Sequence, residues 1–366
     1  MTRSFRFIKL AGLFCLSLLF LTGNLWAQDQ PAYAPLIEAE TNSFMKIKTA
    51  KIDLIQLSSA LVKVANETVE SIFEDKDQIS QTKMMIAMLV PATIARFNPI
   101  VDSLKENEVE EIYIVGTNEK PEISPAYIAI PVAGKTEEQI KSLRKIVASF
   151  QQLDINLQFP FVRHGFLFAI FVNPEMTDKD AIKDYIKTRF KTIESVPNPA
   201  IENVIEARPE ATFSGILTIN DTIRTQLGEQ KNLLTEASQS QTNESSKSFL
   251  DFVSNNWDSV INNLENYAFY SDISSSDNYY IEYIVKMNSS ENAQAVMDIF
   301  PQFIENVVET TNTEELDAEQ KELLKSLILT MQPNSNESSL IWRFDSAFIE
   351  KIKPLIIDYV KKTVKK

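Results

Sequence analysis

Two stretches of the chain run through the same order of secondary-structure signals, and that repetition constrains the fold more than any single motif. Residues 44–53, FMKIKTAKID, read as a strand ending at Asp53, whose carboxylate can cap a helix beginning at Leu54. Residues 213–221, FSGILTIND, repeat the pattern with Asp221 in the place of Asp53. Two equivalent aspartates read either as a duplicated carboxylate site or as an N-cap at each strand-to-helix junction. Capping is the preferred reading, because Asp at such junctions satisfies the orphan N–H groups of a first turn.

Each start is followed by a long helical stretch, 54–106 and 222–265, with polar interruptions at 74–81 and 236–248. Residues 238–248 hold no apolar side chain and read as a solvent loop. Hairpins follow in both halves: EIYIVG (111–116) with AYIAIPV (126–132), and YAFYSDI (267–273) with YYIEYIVKM (279–287). Thr136-Glu-Glu-Gln139 fits a capping box for a helix carrying Ile140, Leu143, Val147 and Phe150 on one face. Its counterpart carries Ala293, Val296, Met297, Phe300, Ile304 and Val307, with a kink expected at Pro301. A second strand pair follows in each half, LQFPF with GFLFAIFV and SLILTMQ (326–332) with SLIWRFD (339–345), and then a closing amphipathic helix. The expected fold is α+β, with two tandem related domains of β-α-β-β-α-β-β-α order. Each is a ferredoxin-like core plus an extra hairpin strand, with helices mainly on one sheet face. The expected domains are 28–200 and 201–366, divided near the prolines at 197, 199 and 209.

Residues 1–27 read as a signal peptide: Arg3, Arg6 and Lys9 precede an apolar run from Leu10 to Leu21 and a short exit ending at Ala27. Cleavage there removes three of the 36 basic residues, none of the 50 acidic ones and the only cysteine, Cys15, so the mature chain carries 33 minus 50, or −17. An exported chain, periplasmic or secreted, is the expectation, stabilised by apolar burial without disulfides. Such acidity excludes a phosphate-reading nucleic-acid partner. No membrane contact is expected once the leader is removed.

The chemistry available is narrow. His164 is the only histidine, and its place before Gly165 reads as a hairpin turn rather than a general base. No nucleophile elbow, zinc helix or phosphate loop occurs, and no cofactor is expected. Asp75-Lys-Asp77, Asp178-Lys-Asp180 and 274–278 lack the spacing of a calcium loop and read as helix starts and loops. The run Met84–Ala95 is apolar all round, which describes a buried helix kinked at Pro91 or a docking element, with core preferred. The candidate ligand or partner surface is a set of tyrosines: Tyr279, Tyr280 and Tyr283, with Tyr267 and Tyr270 on the neighbouring strand. A half-exposed sheet face accounts for them equally. The lysines at 351, 353, 361, 362, 365 and 366 suit a helix C-terminus.

The leader, the strand ending in Asp53, the EIYIVG–AYIAIPV hairpin and the duplicated plan together resemble uncharacterised exported proteins of planctomycete-type bacteria. That resemblance implies the fold and the export, and assigns no catalytic residue. The leading expectation is a non-catalytic exported two-domain protein that binds an unknown partner or ligand in the envelope or outside the cell. The acidic and aromatic surplus supports a second, a carboxylate-dependent hydrolase acting on a glycan. A third is a self-associating structural component of the envelope.

Overall fold

A computed structural model describes residues 33–366 except 73–74, 118–119, 121, 154, 193–194, 242–243, 273–278, 311–316 and 365–366. The expected leader and the 274–278 segment lie outside the described residues. In chain order the elements are β1 (Thr41–Lys48), α1 (Leu54–Ile72), α2 (Lys76–Ala95), α3 (Asn98–Glu106), β2 (Glu111–Thr117), β3 (Ala126–Pro131), α4 (Glu137–Gln151), β4 (Leu157–Arg163), β5 (Phe166–Phe171), α5 (Lys179–Arg189), α6 (Pro199–Glu206) and β6 (Phe213–Thr218). They continue with α7 (Asp221–Ser240), α8 (Glu244–Ile261), β7 (Leu264–Asp272), β8 (Tyr280–Met287), α9 (Ser290–Thr310), α10 (Ala318–Thr330), β9 (Asn334–Asn336), β10 (Ser339–Asp345) and α11 (Ser346–Val364). The class is α+β, and the strands within each unit pair antiparallel.

Packing divides the chain into two compact units, and the division does not follow the sequence halves. One unit joins the chain up to Ala50 with Pro99–Thr218; the other joins Lys51–Asn98 with Ile219–Lys366. The hairpin α1–α2 thus belongs with the second unit, while β6 pairs with β1 in the first.

In the first unit the strand order is β4-β5-β3-β2-β1-β6. The first three strands form a meander, without the interleaving that a ferredoxin-like order requires. Tyr113, Val115, Tyr127, Phe166, Phe168 and Ile170 point to one face, where Ile182 and Tyr185 of α5 and Ile201 and Ile205 of α6 close over them. The alternate residues Met45, Ile112, Ile128 and Leu167 are buried too, as are Leu143, Ile146 and Val147 of α4, which packs on β4 and β5. Cover on both faces therefore replaces the one-sided cover expected. It explains why FLFAIF has no polar alternation. Of the prolines that read as a linker, Pro199 opens α6 instead: it takes the first turn, where a missing N–H costs nothing, and the helix buries two isoleucines.

The second unit has the order β7-β8-β10-β9, with α9 lying on β8, β9 and β10 and α11 on β10. One buried cluster here joins Met287, Ala293 and Leu340, flanked by Val285, Val296, Met297 and Trp342, and Tyr270, Tyr280, Ile304 and Ile352 are buried as well. Strands β2, β3, β5 and β4 of the first unit stand in the same order as β7, β8, β10 and β9 here.

Local departures from the expected elements have local causes. β1 stops at Lys48 and Thr49–Lys51 make a 3-10 turn before Asp53, whose Oδ1 accepts from the Ile55 and Gln56 N–H groups at 3.0 and 2.9 Å. In the second half the cap falls one residue earlier than expected. Asn220 accepts from the Ile223 N–H at 3.0 Å, and Asp221 becomes the first helical residue, where a negative charge suits the helix dipole. Residues 326–330 of SLILTMQ are helix, not strand, and on that side of β10 the pairing is confined to the three residues of β9. A short apolar run fits either element, and the reciprocal capping box of Asp317 and Gln320 upstream decides it. Nor is 238–248 a solvent loop. α7 runs to Ser240 and α8 starts at Glu244, and the buried Ser238 donates to Asp251 Oδ1.

Candidate functional site

Strand alternation in the second unit separates the five candidate tyrosines. Tyr267 lies opposite Val285 and Phe269 opposite Tyr283, so Tyr267, Phe269 and Tyr283 share one face of the β7–β8 pair. The rings of Tyr267 and Tyr283 stack at 5.9 Å. Tyr270 and Tyr280 lie opposite Glu282 and Asp272 on the other face, and both are buried. Tyr279 precedes β8, half-buried. No five-ring platform forms, because two tyrosines on neighbouring strands share a face only when the register allows it. Burial, then the neighbouring Tyr283, pushes the Tyr267 phenol above its ordinary range.

The register also assembles a group that composition does not suggest. Arg343 of β10 faces Glu282 of β8, and its Nη1 donates to Glu282 Oε2 at 3.0 Å while Nε donates to Asp345 Oδ2 at 3.2 Å. The guanidinium lies 4.3 Å from the centre of the Tyr280 ring, a cation–π contact. Burial opposes the charge of Arg343, but the bonds to Glu282 and Asp345 outweigh it and hold its pKa above the ordinary value. The Phe348 N–H, and then Arg343, hold the Asp345 carboxyl below its usual range. The Asp345 carboxylate thereby caps α11 and anchors the arginine together.

Beside this group is a cleft of about 300 Å³ between the end of α10, β10 and the first turns of α11. Trp342, Phe344 and Phe348 supply its aromatic wall, Gln332 and Asn334 its polar side, and Arg343 and Lys351 its cations. The rings of Phe344 and Phe348 meet edge to face at 4.9 Å. β9 pairs only with Ser339, Leu340 and Ile341, so among the described residues no strand pairs the outer edge of β10 from Trp342 to Asp345. The sequence signal for this site was the alternation in SLIWRFD, aromatic at 342 and 344 and charged at 343 and 345, together with Glu282 as the only acid in YYIEYIVKM.

The first unit gathers its own charges. Lys46 lies 3.2 Å from Glu111 Oε1 and 3.9 Å from Glu206 Oε1, and the hydroxyls of Tyr113 and Tyr33 donate to the same two carboxylates at 2.8 Å each. These acids act as brackets across β1, β2 and α6. Arg189 and Glu38 form a buried ion pair. Burial works against the charge of Arg189, yet Glu38 and the Tyr127 phenol keep its pKa above the ordinary value.

His164 and Gly165 form the two-residue turn between β4 and β5, with φ of 49° and 80°. Glu337 holds φ of 51° in the corresponding turn between β9 and β10. The His164 Nε2 lies 3.3 Å from the Phe190 carbonyl oxygen, an anchor for the turn. Asp75 and Asp178 cap α2 and α5, each accepting from two backbone N–H groups. Among the described residues no group of three acids or histidines has the geometry to hold a metal ion. The chain matches no family model, no curated protein and no solved structure.

Proposed function

We propose that the protein is an exported, non-catalytic α+β binding protein, and that its ligand is an extended peptide carrying an acidic group, held in the cleft beside β10. The observation that carries this reading is the unpaired outer edge of β10 running along an aromatic wall. Backbone groups at such an edge can pair with an added strand, while Trp342, Phe344 and Phe348 take an apolar side chain. Lys351, which lines the cleft, favours a carboxylate. The scaffold is a tandem duplication in this reading, supported by the common strand order of the two units.

A displayed peptide library selected on the purified protein tests it. Selected peptides are expected to contain an acidic residue and to quench Trp342 fluorescence, and both Trp342→Phe and Lys351→Glu are expected to weaken them. Selected peptides indifferent to both substitutions would overturn the site. Turnover of a glycan, abolished by one carboxylate substitution, would overturn the non-catalytic reading.

A further inference from the structure

The helix expected to be core is open instead, since none of the 20 residues of α2 is buried. Its exposed methionines offer a partner neither backbone pairing nor charge. The free edge of β10 offers both, and its geometry narrows the ligand further.

Antiparallel alternation fixes which backbone groups of β10 face outward. The Met287 N–H donates to the Ser338 carbonyl at 2.8 Å, so Leu340, Trp342 and Phe344 also turn their backbone groups to β8. Ser339 and Ile341 turn theirs to β9, opposite Asn336 and Asn334. Arg343, next in that series, presents its N–H and C=O to the open side, where no described strand pairs with it. Pairing stops at Asn334 because the chain enters β9 there, from α10 through Met331-Gln332-Pro333.

The open stretch is short and closed at one end. It runs from Trp342 to Asp345, four residues or about 14 Å, before α11 begins at Ser346. Gln332, Pro333 and Asn334 line the cleft, so a strand laid along this edge in line with β9 must end at Pro333. The cleft, about 300 Å³, lies at the small end of the range for ligand pockets, about 300–1,000 Å³. Both features fit a chain end rather than a segment passing through.

Charge chooses which end. A strand antiparallel to β10 brings its C-terminus to Pro333, and a parallel one its N-terminus. No acid is among the described residues lining the cleft, so nothing there answers an ammonium group. Lys351 lines it, exposed and without an ion pair among the described residues. Helix α10 ends beside the cleft, but its last carbonyls are occupied. Ile328 and Leu329 accept from the Met331 and Gln332 N–H groups, and Ser326 accepts from the Thr330 hydroxyl. The edge strand β4 of the first unit gives the contrast. It carries Pro160, Phe159 at φ of 54° and a register shift between Gln158 and Phe161, features that keep an edge from pairing. β10 has none of these between Trp342 and Asp345.

We propose that the acidic group recognised in the cleft is the C-terminal carboxylate of the bound peptide, an inference that rests on the peptide-binding reading above. The last residue lies opposite Arg343, donates its N–H to the Arg343 carbonyl and turns its carboxylate to the Arg343 N–H and Lys351. The residue before it lies opposite Phe344 and turns its side chain to the face of Trp342 and Phe344.

A library of random hexapeptides displayed with free C-termini, selected on protein purified from cells expressing the full chain, supplies the probes. The best binders are resynthesised with an N-terminal fluorescein as free acid, as C-terminal amide and with two glycines added, and titrated by fluorescence anisotropy. The amide and the extended form are expected to bind about tenfold more weakly than the acid. Lys351→Met, at an exposed position, is expected to bring the acid down to the amide, and the residue before the last is expected to be apolar. Equal binding of acid and amide, or an acid preference that persists in Lys351→Met, would overturn the inference; if Trp342→Phe still weakens those peptides, the cleft reading stands without it. Peptides indifferent to both Trp342→Phe and Lys351→Met, or a selection that yields no peptide, would overturn the two together.

Discussion

The hairpins α1–α2 and α7–α8 follow the strands β1 and β6 at corresponding places in the two halves, and both lie in the second unit. Their chemistry differs sharply. α7–α8 is laced by polar contacts: Ser238 to Asp251, Thr235 to Ser254 at 2.9 Å, Lys231 to Asp258, and the Trp257 indole N–H to the Leu227 carbonyl at 2.9 Å. The α1–α2 pair has the Glu70–Lys83 ion pair and an outer face of methionine and leucine. Helix pairing needs only one seam per helix, so the outer faces are free to diverge. One outer face suits water. The other is apolar and exposed, a contrast that element order alone does not predict.

The largest expected effect is in the polar hairpin. Trp257→Ala should cost about 3 kcal/mol in urea unfolding, since it removes a large half-buried side chain and the indole hydrogen bond that ties α8 to the Leu227 carbonyl of α7. A loss below about 1 kcal/mol would mean that the polar lacing contributes little and that the two hairpins differ only in appearance.

The caps should give intermediate effects and separate the two junctions. Asp53→Ala and Asn220→Ala should each cost about 1 kcal/mol, whereas Asp221→Ala should cost only a few tenths. Equal losses at positions 220 and 221 would restore the strict equivalence of Asp53 and Asp221.

A smaller effect depends on pH. The hydrogen bond from Lys353 holds the Glu67 carboxyl below its ordinary value, so its folded pKa is depressed. The stability it contributes is present above about pH 4.5 and disappears as pH falls through the lower folded value. Unfolding curves of Glu67→Gln should therefore be flatter than wild type below that pH and parallel to it above. The same slope in both proteins would remove this link between α1 and α11.

Much of the fold was legible because local signals agreed with packing. EIYIVG, AYIAIPV, GFLFAIFV and YYIEYIVKM became β2, β3, β5 and β8 nearly to the residue, and Thr136 with Gln139 makes the capping box their spacing suggests. Illegible features depend on partners distant in sequence. Whether Met84–Ala95 is buried is decided by what packs on it, and an all-round apolar run carries no mark of exposure. The tyrosines were visible as a cluster, but their division between two faces is set by the β7–β8 register. Arg343, Glu282 and Tyr280 meet only once β10 pairs with β8, so the cleft had no contiguous signature.

The smallest expected change sharpens the comparison most. Met88→Ala removes a large apolar side chain from the middle of an apolar helix, and in a core that substitution costs about 2–5 kcal/mol. At 63 % exposure Met88 has few neighbours to lose, so unfolding free energy should change by less than about 0.5 kcal/mol. Ile86→Ala and Val90→Ala, on the half-buried side of the helix, should cost about 1 kcal/mol or more because those side chains are partly removed from water. Equilibrium urea unfolding of the three variants distinguishes the faces. A loss at Met88 equal to that at Ile86 would place the methionine face inside a packed core and return α2 to the role its sequence alone suggests.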